Sequence, residues 1–406
     1  MSSATTHGPL AGLRVLEIAS LAPAPFACTV LSDLGAEVLR IDRVTGSSPA
    51  RAAVPDPLSE PGRPNETSPP IPVDPLSRGR RSVALDLKRP QGAETVLRLV
   101  ERADVLVEGF RPGVCERLGI GPAPCLDRNP RLVYARMTGY GQDGPLAQRA
   151  GHDINYLALA GALQPLGPAS GPPLPPFNYV ADFGGGGMLL VVGILAALWE
   201  RERSGAGQVV DAAMADGSAL ITSILHTLRG AGMWDERRGR NLFDGSAPFY
   251  AAYECADGRF VAVGALEPRF WAELLDGLGL EDAAELVACQ HDRARWPEMT
   301  SRLAAVFRTR TRDEWAEYFA ETDACVTPVL GPFEAHEHPH NAARGTFVES
   351  GGGRPPEPGP APRFSRTPGH VASLPPRVGQ HTEVALGEWG LSAEEISGLL
   401  SEGIAR

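Results

Sequence analysis

The first 140 residues alternate short apolar runs with longer amphipathic stretches. Five runs rich in Val, Leu and Ile have the length and composition of β-strands, at 14–18, 37–42, 81–87, 104–108 and 131–135. Two of the stretches between them, at 26–34 and 91–101, repeat their apolar residues at helical spacing. Because strands that alternate with helices are joined by crossover connections, the pattern predicts a parallel sheet with a Rossmann-like layout.

The pattern changes in the second half of the chain. Residues 209–214 predict a strand that enters a helix reaching to about residue 229. Further strands and helices are predicted at 247–255, 259–264, 268–278, 300–308 and 311–321. We therefore expect an α/β protein with four regions: a large Rossmann-like domain (1–211), a linker helix (212–242), a smaller α+β domain (243–336), and a return linker with the C-terminal part of the large domain (337–406).

Three shorter segments interrupt or end this pattern. Nine prolines between Gly46 and Pro75, without hydrophobic periodicity, predict a Pro-rich surface insertion at 46–77. Residues 351–362 have the composition of a Pro/Gly linker. Ser392 and Glu395 form the sequence signature of a capping box, which predicts a helix over 392–400.

Composition and charge narrow the function classes. A net charge of −11, with 43% hydrophobic and 21% charged residues, is typical of a folded enzyme and argues against a nucleic-acid partner. The longest apolar run, 188–199, is shorter than the roughly 20 residues of a membrane span, so we expect a buried helix and no membrane partner. The polar start of the chain and six cysteines without C-x-x-C spacing predict reduced thiols in a cytoplasmic protein.

A nicotinamide-binding domain is one alternative for the first region. Asp42 ends the second predicted strand, where such domains place an acid that binds ribose. However, the first strand-to-helix turn contains Pro23 and Pro25 instead of the G-x-G-x-x-G glycines. Prolines lack the N–H groups that cradle a pyrophosphate, which argues against NAD.

The candidate chemistry lies in two motifs 30 positions apart. His152 belongs to Gly-His-Asp-Ile-Asn-Tyr, and Asp182 precedes four glycines that lead into the apolar run at 188–199. An imidazole and a carboxylate together could move a proton on and off carbon. Backbone N–H groups at or near Asp182, at the expected helix start, would suit an enolate oxygen. Taken alone, each residue more often has a structural role, as a hydrogen-bonded core histidine or a helix N-cap.

Ten short motifs together carry a resemblance to a known family; they lie at 22–26, 40–43, 85–88, 111–114, 134–142, 151–156, 182–186, 244–245, 264–268 and 323–328. In order and spacing they resemble the α-methylacyl-CoA racemases of the family III CoA-transferase (CaiB/BaiF) superfamily, over nearly the whole chain. The resemblance implies an isomerase of lipid metabolism that interconverts (2R)- and (2S)-2-methylacyl-CoA esters by 1,1-proton transfer through an enolate. It also implies that no cofactor is needed and that two chains form an interlocked homodimer.

The same resemblance implies roles for individual residues. His152 and Asp182 are the expected proton donors and acceptors, and Glu267 is expected to hydrogen-bond the imidazole, from the other subunit if the chains interlock. The residues expected to contact the CoA moiety are Arg43, Leu85, Asp86, Leu87, Lys88, Arg117, Gly151, Asp153, Ile154, Asn155 and Tyr156. Arg78, Arg80 and Arg81 are weaker candidates for the phosphates.

Other function classes fit less well. In family III CoA-transferases an aspartate at the Asp182 position forms a covalent anhydride and then a CoA thioester. His152 favours the racemase, because those transferases generally lack a histidine in that loop. A CoA-binding scaffold without activity would be expected to lack one of the three catalytic candidates, and no G-x-S-x-G or P-loop motif supports a hydrolase or kinase. Three histidines at 336–340 lack a completing ligand cluster, so we expect no metal site.

Overall fold

The computed structural model describes residues 8–44, 75–280, 282–349 and 355–406. Most of the predicted Pro-rich insertion at 46–77 therefore lies outside the described residues, as does the start of the predicted 351–362 linker. Contacts between Cα atoms divide the chain into two compact units. The first contains residues 1–160, 177–221 and 342–406, and the second contains residues 161–176 and 222–341.

The first unit is built on a six-stranded parallel sheet, which confirms the predicted Rossmann-like layout. Its strands are β1 (Arg14–Ile18), β2 (Glu37–Arg43), β3 (Arg80–Leu85), β4 (Val105–Glu108), β5 (Val133–Thr138) and β6 (Val209–Ala213). They lie in the order β3-β2-β1-β4-β5-β6. The order reverses between β1 and β4, the kind of position at which open parallel sheets form ligand crevices.

Helices cover both faces of this sheet. They are α1 (Pro23–Asp33), α2 (Pro90–Val100), α3 (Val114–Arg117), α4 (Pro122–Arg128), α5 (Asp153–Leu159), α6 (Leu189–Ser204) and α7 (Met214–Ile221). A 3-10 turn (Pro75–Ser77), a two-stranded ribbon of β10 (Phe347–Val348) and β11 (Glu357–Pro358), and helices α14 (Thr382–Glu388) and α15 (Ala393–Ser401) complete the unit. One face of the sheet packs its apolar residues, such as Leu39 and Val83, against Leu99 of α2 and Trp389 after α14.

The opposite face of strands β1 to β3 carries buried charges, under α1. Arg80 is 1% exposed and donates to Glu17 Oε2 at 3.0 Å and to Thr29 Oγ1 of α1 at 2.8 Å. Arg40 lies opposite Glu17 in register and pairs with Asp42 at 3.1 Å. Burial of these charges is compensated by the ion pairs and hydrogen bonds that they form with one another.

The glycine-rich segment is helical, which differs from the prediction. Residues Tyr179–Met188 form a π-helix that continues directly into α6, so the helix begins nine residues (188 − 179) before the predicted start at 188. By length and composition alone, the combined segment Tyr179–Ser204 could span a membrane. The buried core helix of a soluble protein can have the same length and composition. It packs against α1, β5 and β6, as expected for a core helix.

The second unit is a smaller α+β structure. Strands β7 (Tyr250–Glu254), β8 (Phe260–Gly264) and β9 (Val326–Pro328) form an antiparallel sheet. Its helices are α8 (Ser223–Gly230), α9 (Pro268–Gly277), α10 (Ala283–Ala288), α11 (Trp296–Phe307) and α12 (Arg312–Tyr318), followed by a 3-10 turn (Ala335–Glu337). Helix α13 (Pro339–Arg344) spans the boundary between the two units. The core is aromatic, with Trp271, Trp296 and Trp315 all buried.

The limits of the two units differ in part from the predicted domain limits. Residues 161–176, assigned by the sequence to the large domain, belong to the second unit. Within that unit, Arg238 donates to the carbonyl oxygens of Gln164 and Pro168. The predicted linker helix 212–242 is divided between α7, in the first unit, and α8, in the second.

Candidate active site

One cavity of the first unit lies at the carboxyl ends of β1, β4 and β5, where the strand order reverses. It has a volume of about 500 Å³. Its walls come from the loops after these strands, from the end of β5, from α1, from the loop before α5, and from the π-helix; they include Leu21, Pro23, Phe110, Thr138, Tyr140, His152 and Asp182. The fold therefore brings the predicted pair His152 and Asp182 to one cavity.

His152 is held by the start of α5. Its backbone N–H donates to Asn155 Oδ1 at 3.1 Å, and its carbonyl accepts from the Asn155 N–H at 2.8 Å. The preceding Gly151 carbonyl accepts a hydrogen bond from the Tyr156 hydroxyl. The backbone is fixed on both sides, while the imidazole is exposed and lines the cavity.

Asp182 lies in the first turn of the π-helix. Its Oδ2 accepts a hydrogen bond from Asn178 Nδ2 at 3.2 Å. Burial raises the pKa of the Asp182 carboxyl; Asn178 opposes this shift, the Asp153 carboxylate adds to it, and His152 opposes it. The balance is upward, which brings the pKa closer to the ordinary range of an imidazole.

Asp153 connects the two segments that carry these residues. Its Oδ2 accepts the backbone N–H groups of Ala181 at 2.8 Å and of Asp182 at 2.9 Å. The side chain is only 6% exposed. The Asp153 carboxylate therefore faces the protein interior, and the Asp182 N–H has an acceptor inside the protein. The predicted contact of Asp153 with CoA and the predicted backbone N–H at or near Asp182 for the enolate oxygen stay predictions.

The glycines after Asp182 serve close packing, which corrects the prediction that they form a helix start. Gly185 contacts α7 so closely that a Cβ on Gly217 would lie 1.8 Å from the Gly185 carbonyl oxygen. A Cβ on Gly186 would lie 2.8 Å from Met214, and one on Gly187 would lie 2.6 Å from Phe26. Glycine is needed here because the π-helix is enclosed by α1 and α7.

The other residues predicted to contact CoA are spread over the first unit. Gly151 and Tyr156 line the cavity. The remaining ones lie outside the described cavity lining; they are Arg43, Leu85, Asp86, Leu87, Lys88, Arg117, Ile154 and Asn155. Leu85 is part of the apolar core, and the Asp86 carboxylate accepts the Lys88 N–H at 3.1 Å. Arg43, Lys88 and Arg117 are exposed, so their predicted role in binding phosphates stays a prediction.

The three weaker arginine candidates are engaged in ion pairs. Arg78 pairs with Asp33, Arg80 with Glu17, and Arg81 with Glu37 and Glu388. Arg78 and Arg80 are also buried. Binding a phosphate through either would require breaking a buried ion pair, which argues against that role.

Glu267 lies directly before α9 in the second unit, where it is exposed. Its predicted hydrogen bond to the imidazole stays a prediction. His336 lies in a 3-10 turn, His340 lies in α13, and His338 lies between these two elements. The described residues contain no group of three or more potential ligands arranged to hold a metal ion. The six cysteines are free thiols.

Several cavity residues had no role assigned from the sequence. Arg111 and Arg149 bring two guanidinium groups to the cavity, and Tyr140 packs edge-on against Tyr156. Asn178 orients the Asp182 carboxylate. Arg111 could have been found, because it follows β4, whose carboxyl end lies beside the reversal of strand order. Asn178 gives no such signal, since its contact depends on the π-helix.

Comparison with known proteins defines the relationships of the chain. Residues 10–382 match the profile of CoA-transferase family III. The chain is 48% identical over 396 residues to the alpha-methylacyl-CoA racemase of Mus musculus, covering 97% of each chain. It is 32% identical to the succinyl-CoA–L-malate CoA-transferase beta subunit of Chloroflexus aurantiacus, covering 99% of each. The crystal structure of a CaiB/BaiF family protein from Brucella suis superposes with a TM-score of 0.76 at 25% identity, covering 94% of this chain and 100% of that one.

Proposed function

The chain belongs to CoA-transferase family III, and from this we propose that it is an α-methylacyl-CoA racemase. The observation that carries the proposal is that His152 and Asp182 line one cavity at the reversal of strand order. The 48% identity to the mouse racemase supports the same activity.

The reaction requires one group to remove the α-proton and another to return a proton from the opposite face. In one direction neutral His152 takes the proton, which leaves a planar enolate, and the protonated Asp182 carboxyl donates to the other face. In the other direction the Asp182 carboxylate takes the proton and the imidazolium donates. The raised pKa of Asp182 favours this exchange of roles, because a larger fraction of the carboxyl is then protonated and able to donate.

The second candidate is a CoA-transferase with Asp182 as nucleophile. The position of Asp182 in the cavity is compatible with this chemistry, and the Chloroflexus relative is named a CoA-transferase. His152 favours the racemase, since nucleophilic attack by a carboxylate does not need a second base on the opposite face of the α-carbon.

One experiment separates the two activities. Purified protein is incubated in deuterium oxide with one enantiomer of a 2-methylacyl-CoA, with and without a free carboxylic acid as CoA acceptor. We expect α-deuterium incorporation with loss of configuration and no transfer of CoA. Transfer of CoA without α-exchange would refute the racemase and support the transferase.

Two variants test the residues. His152→Ala and Asp182→Ala are each expected to slow epimerisation by roughly 10²–10⁴-fold, the usual contribution of a general acid or base, with little change in CoA-ester binding. His340→Ala, an exposed histidine in α13, is the matched control. Unchanged epimerisation in either cavity variant would contradict the two-base mechanism.

The remaining expectations are part of the same proposal. Proton transfer between His152, Asp182 and carbon requires no cofactor, and the free thiols are compatible with a cytoplasmic location. The homodimer and the role of Glu267 are tested together: light scattering should give twice the chain mass, and Glu267→Gln should lower kcat while leaving the dimer intact. A fully active Glu267→Gln variant would contradict its role.

A further inference from the structure

The contacts of Asp153 suggest a role in the geometry of the two-base site. Asp153 is joined by a peptide bond to His152, and its Oδ2 accepts the N–H of Asp182 itself and of the preceding Ala181. One carboxylate thus connects segments that lie about 30 residues apart in sequence. A shift of Asp153 would move both bases relative to each other.

The environment of Asp153 makes this connection rigid. The side chain is 6% exposed, and two hydrogen bonds of 2.8 and 2.9 Å to backbone N–H groups hold its Oδ2. These N–H groups belong to the first turn of the π-helix, where intrahelical acceptors are missing and the helix dipole favours a negative charge. Its Oδ1 is buried without a hydrogen-bond partner among the described residues.

We propose that Asp153 is a positioning residue that ties the loop of His152 to the helical turn of Asp182 and thereby fixes the separation of the two bases. The inference rests on the proposed racemase function. It assigns the Asp153 carboxylate to contacts within the protein.

A second effect follows from the charge of Asp153. Burial is the largest cause of the raised pKa of Asp182, and the hydrogen bond from Asn178 opposes it. The Asp153 carboxylate raises the pKa of Asp182 further, and His152 lowers it. Tyr156 lines the same cavity. The pKa of its phenol is raised to about 12, mainly by burial and then by Tyr140 and Asp182, so the phenol stays neutral near pH 7. Removing the Asp153 charge should therefore lower the pKa of Asp182.

Two substitutions separate position from charge. Asp153→Asn keeps an oxygen that can accept both N–H groups but removes the charge, whereas Asp153→Ala removes the acceptor. Asp127→Asn, at an exposed aspartate of α4, is the matched control. For each protein we would measure kcat and KM for α-deuterium exchange as a function of pH. We would also measure amide hydrogen exchange at Ala181 and Asp182. The titration of Asp182 would be followed by carboxyl ¹³C NMR, with the Asp182 signal assigned by its loss in Asp182→Asn.

The expected results differ between the variants. Asp153→Ala should lower kcat by roughly 10²-fold, the effect of misplacing a catalytic group by about 1 Å, while KM changes by less than about threefold. It should also lose amide protection at Ala181 and Asp182. Asp153→Asn should keep that protection and most of kcat, and Asp182 should titrate at lower pH. Asp127→Asn should match the wild-type protein in every measurement.

Two results would overturn the inference. One is an Asp153→Ala protein with kcat within about threefold of wild type, far from the loss expected for a misplaced base. The other is an Asp153→Asn protein that loses as much kcat as Asp153→Ala although its Ala181 and Asp182 amides remain protected. If the wild-type protein shows no α-deuterium exchange, the racemase proposal fails. The amide protection and the Asp182 titration would still test the contacts of Asp153, because these two measurements need no substrate. If Asp153→Ala does not fold, an Asp153→Asn protein that keeps amide protection at Ala181 and Asp182 but loses roughly 10²-fold in kcat would overturn the inference.

Discussion

The contact between Gly185 of the π-helix and Gly217 of α7 permits a sharp test of how packing supports the site. An alanine Cβ at Gly217 would lie 1.8 Å from the Gly185 carbonyl oxygen and 2.6 Å from its carbonyl carbon. Both are backbone atoms, so no side-chain rotation can relieve the clash. An ordinary contact begins near 3.4 Å, so the two segments would have to separate by about 1.6 Å (3.4 − 1.8).

The size of the effect follows from this displacement. Overpacking a buried site costs about 1–3 kcal/mol, and the rigid backbone contact places Gly217→Ala at the upper end of that range. The moving segment is only three residues from Asp182 (185 − 182). A displacement of about 1 Å at a catalytic group can cost roughly 10²-fold in rate, so we expect a loss of that order in kcat.

The assay compares thermal unfolding and kcat of Gly217→Ala with those of Gly184→Ala. A Cβ on Gly184 would lie 3.3 Å from the Tyr179 carbonyl oxygen and 3.6 Å from Ile221, so that variant should stay within about 1 kcal/mol of wild type. Equal melting temperatures for the two variants, together with an undiminished kcat in Gly217→Ala, would refute the close-packing argument.

Two further predictions concern charged groups. Asp182→Asn should raise the melting temperature at pH 7 but not at pH 3. The raised pKa of Asp182 means that the native state binds its proton more tightly than the unfolded state, so stability falls as pH rises from the ordinary Asp pKa through the raised one, and Asn abolishes that loss. An equal difference in melting temperature at both pH values would contradict this. Arg80→Met should destabilise the protein by about 3–5 kcal/mol, because it leaves Glu17 buried without its closest partner. The control Arg98→Met breaks an exposed ion pair with Glu395 and should cost at most about 1 kcal/mol. Similar losses of stability in denaturant titrations of the two variants would contradict the role of the buried ion pair.

The sequence predicted the parallel sheet well because its strands are short apolar runs separated by helical segments. The strand at 14–18 agrees with β1 at both ends, and β3 and β5 differ from their predictions by only a few residues. The local pattern was sufficient because strands β1 to β5 are mostly buried on both faces of a covered sheet. The pairing of His152 with Asp182 in one cavity was likewise predicted from the two sequence motifs that contain them.

The parts that the sequence did not predict depend on contacts between distant residues. Four glycines resemble a loop or a helix start, and their helical conformation is explained only by the close approach of α1 and α7. Asp153 resembles a ligand-binding residue in a motif, yet its acceptor role depends on a turn 28 residues away. Arg80 resembles a free phosphate ligand until its partner Glu17, 63 residues away, is known.

The position of α14 and α15 on the large sheet has a consequence for how the chain is made. The N–H groups of Ser82 and Ala84, on the outer edge of β3, are bonded by His381 and by Thr382, the latter 298 residues beyond Ala84. During translation at about 5–20 residues per second, this edge and the apolar surface later covered by Trp389 remain open for about 15–60 s after β3 is synthesised. An unpaired strand edge beside an apolar surface is prone to aggregate. Nascent chains should therefore bind holdase chaperones until the last two helices emerge from the ribosome.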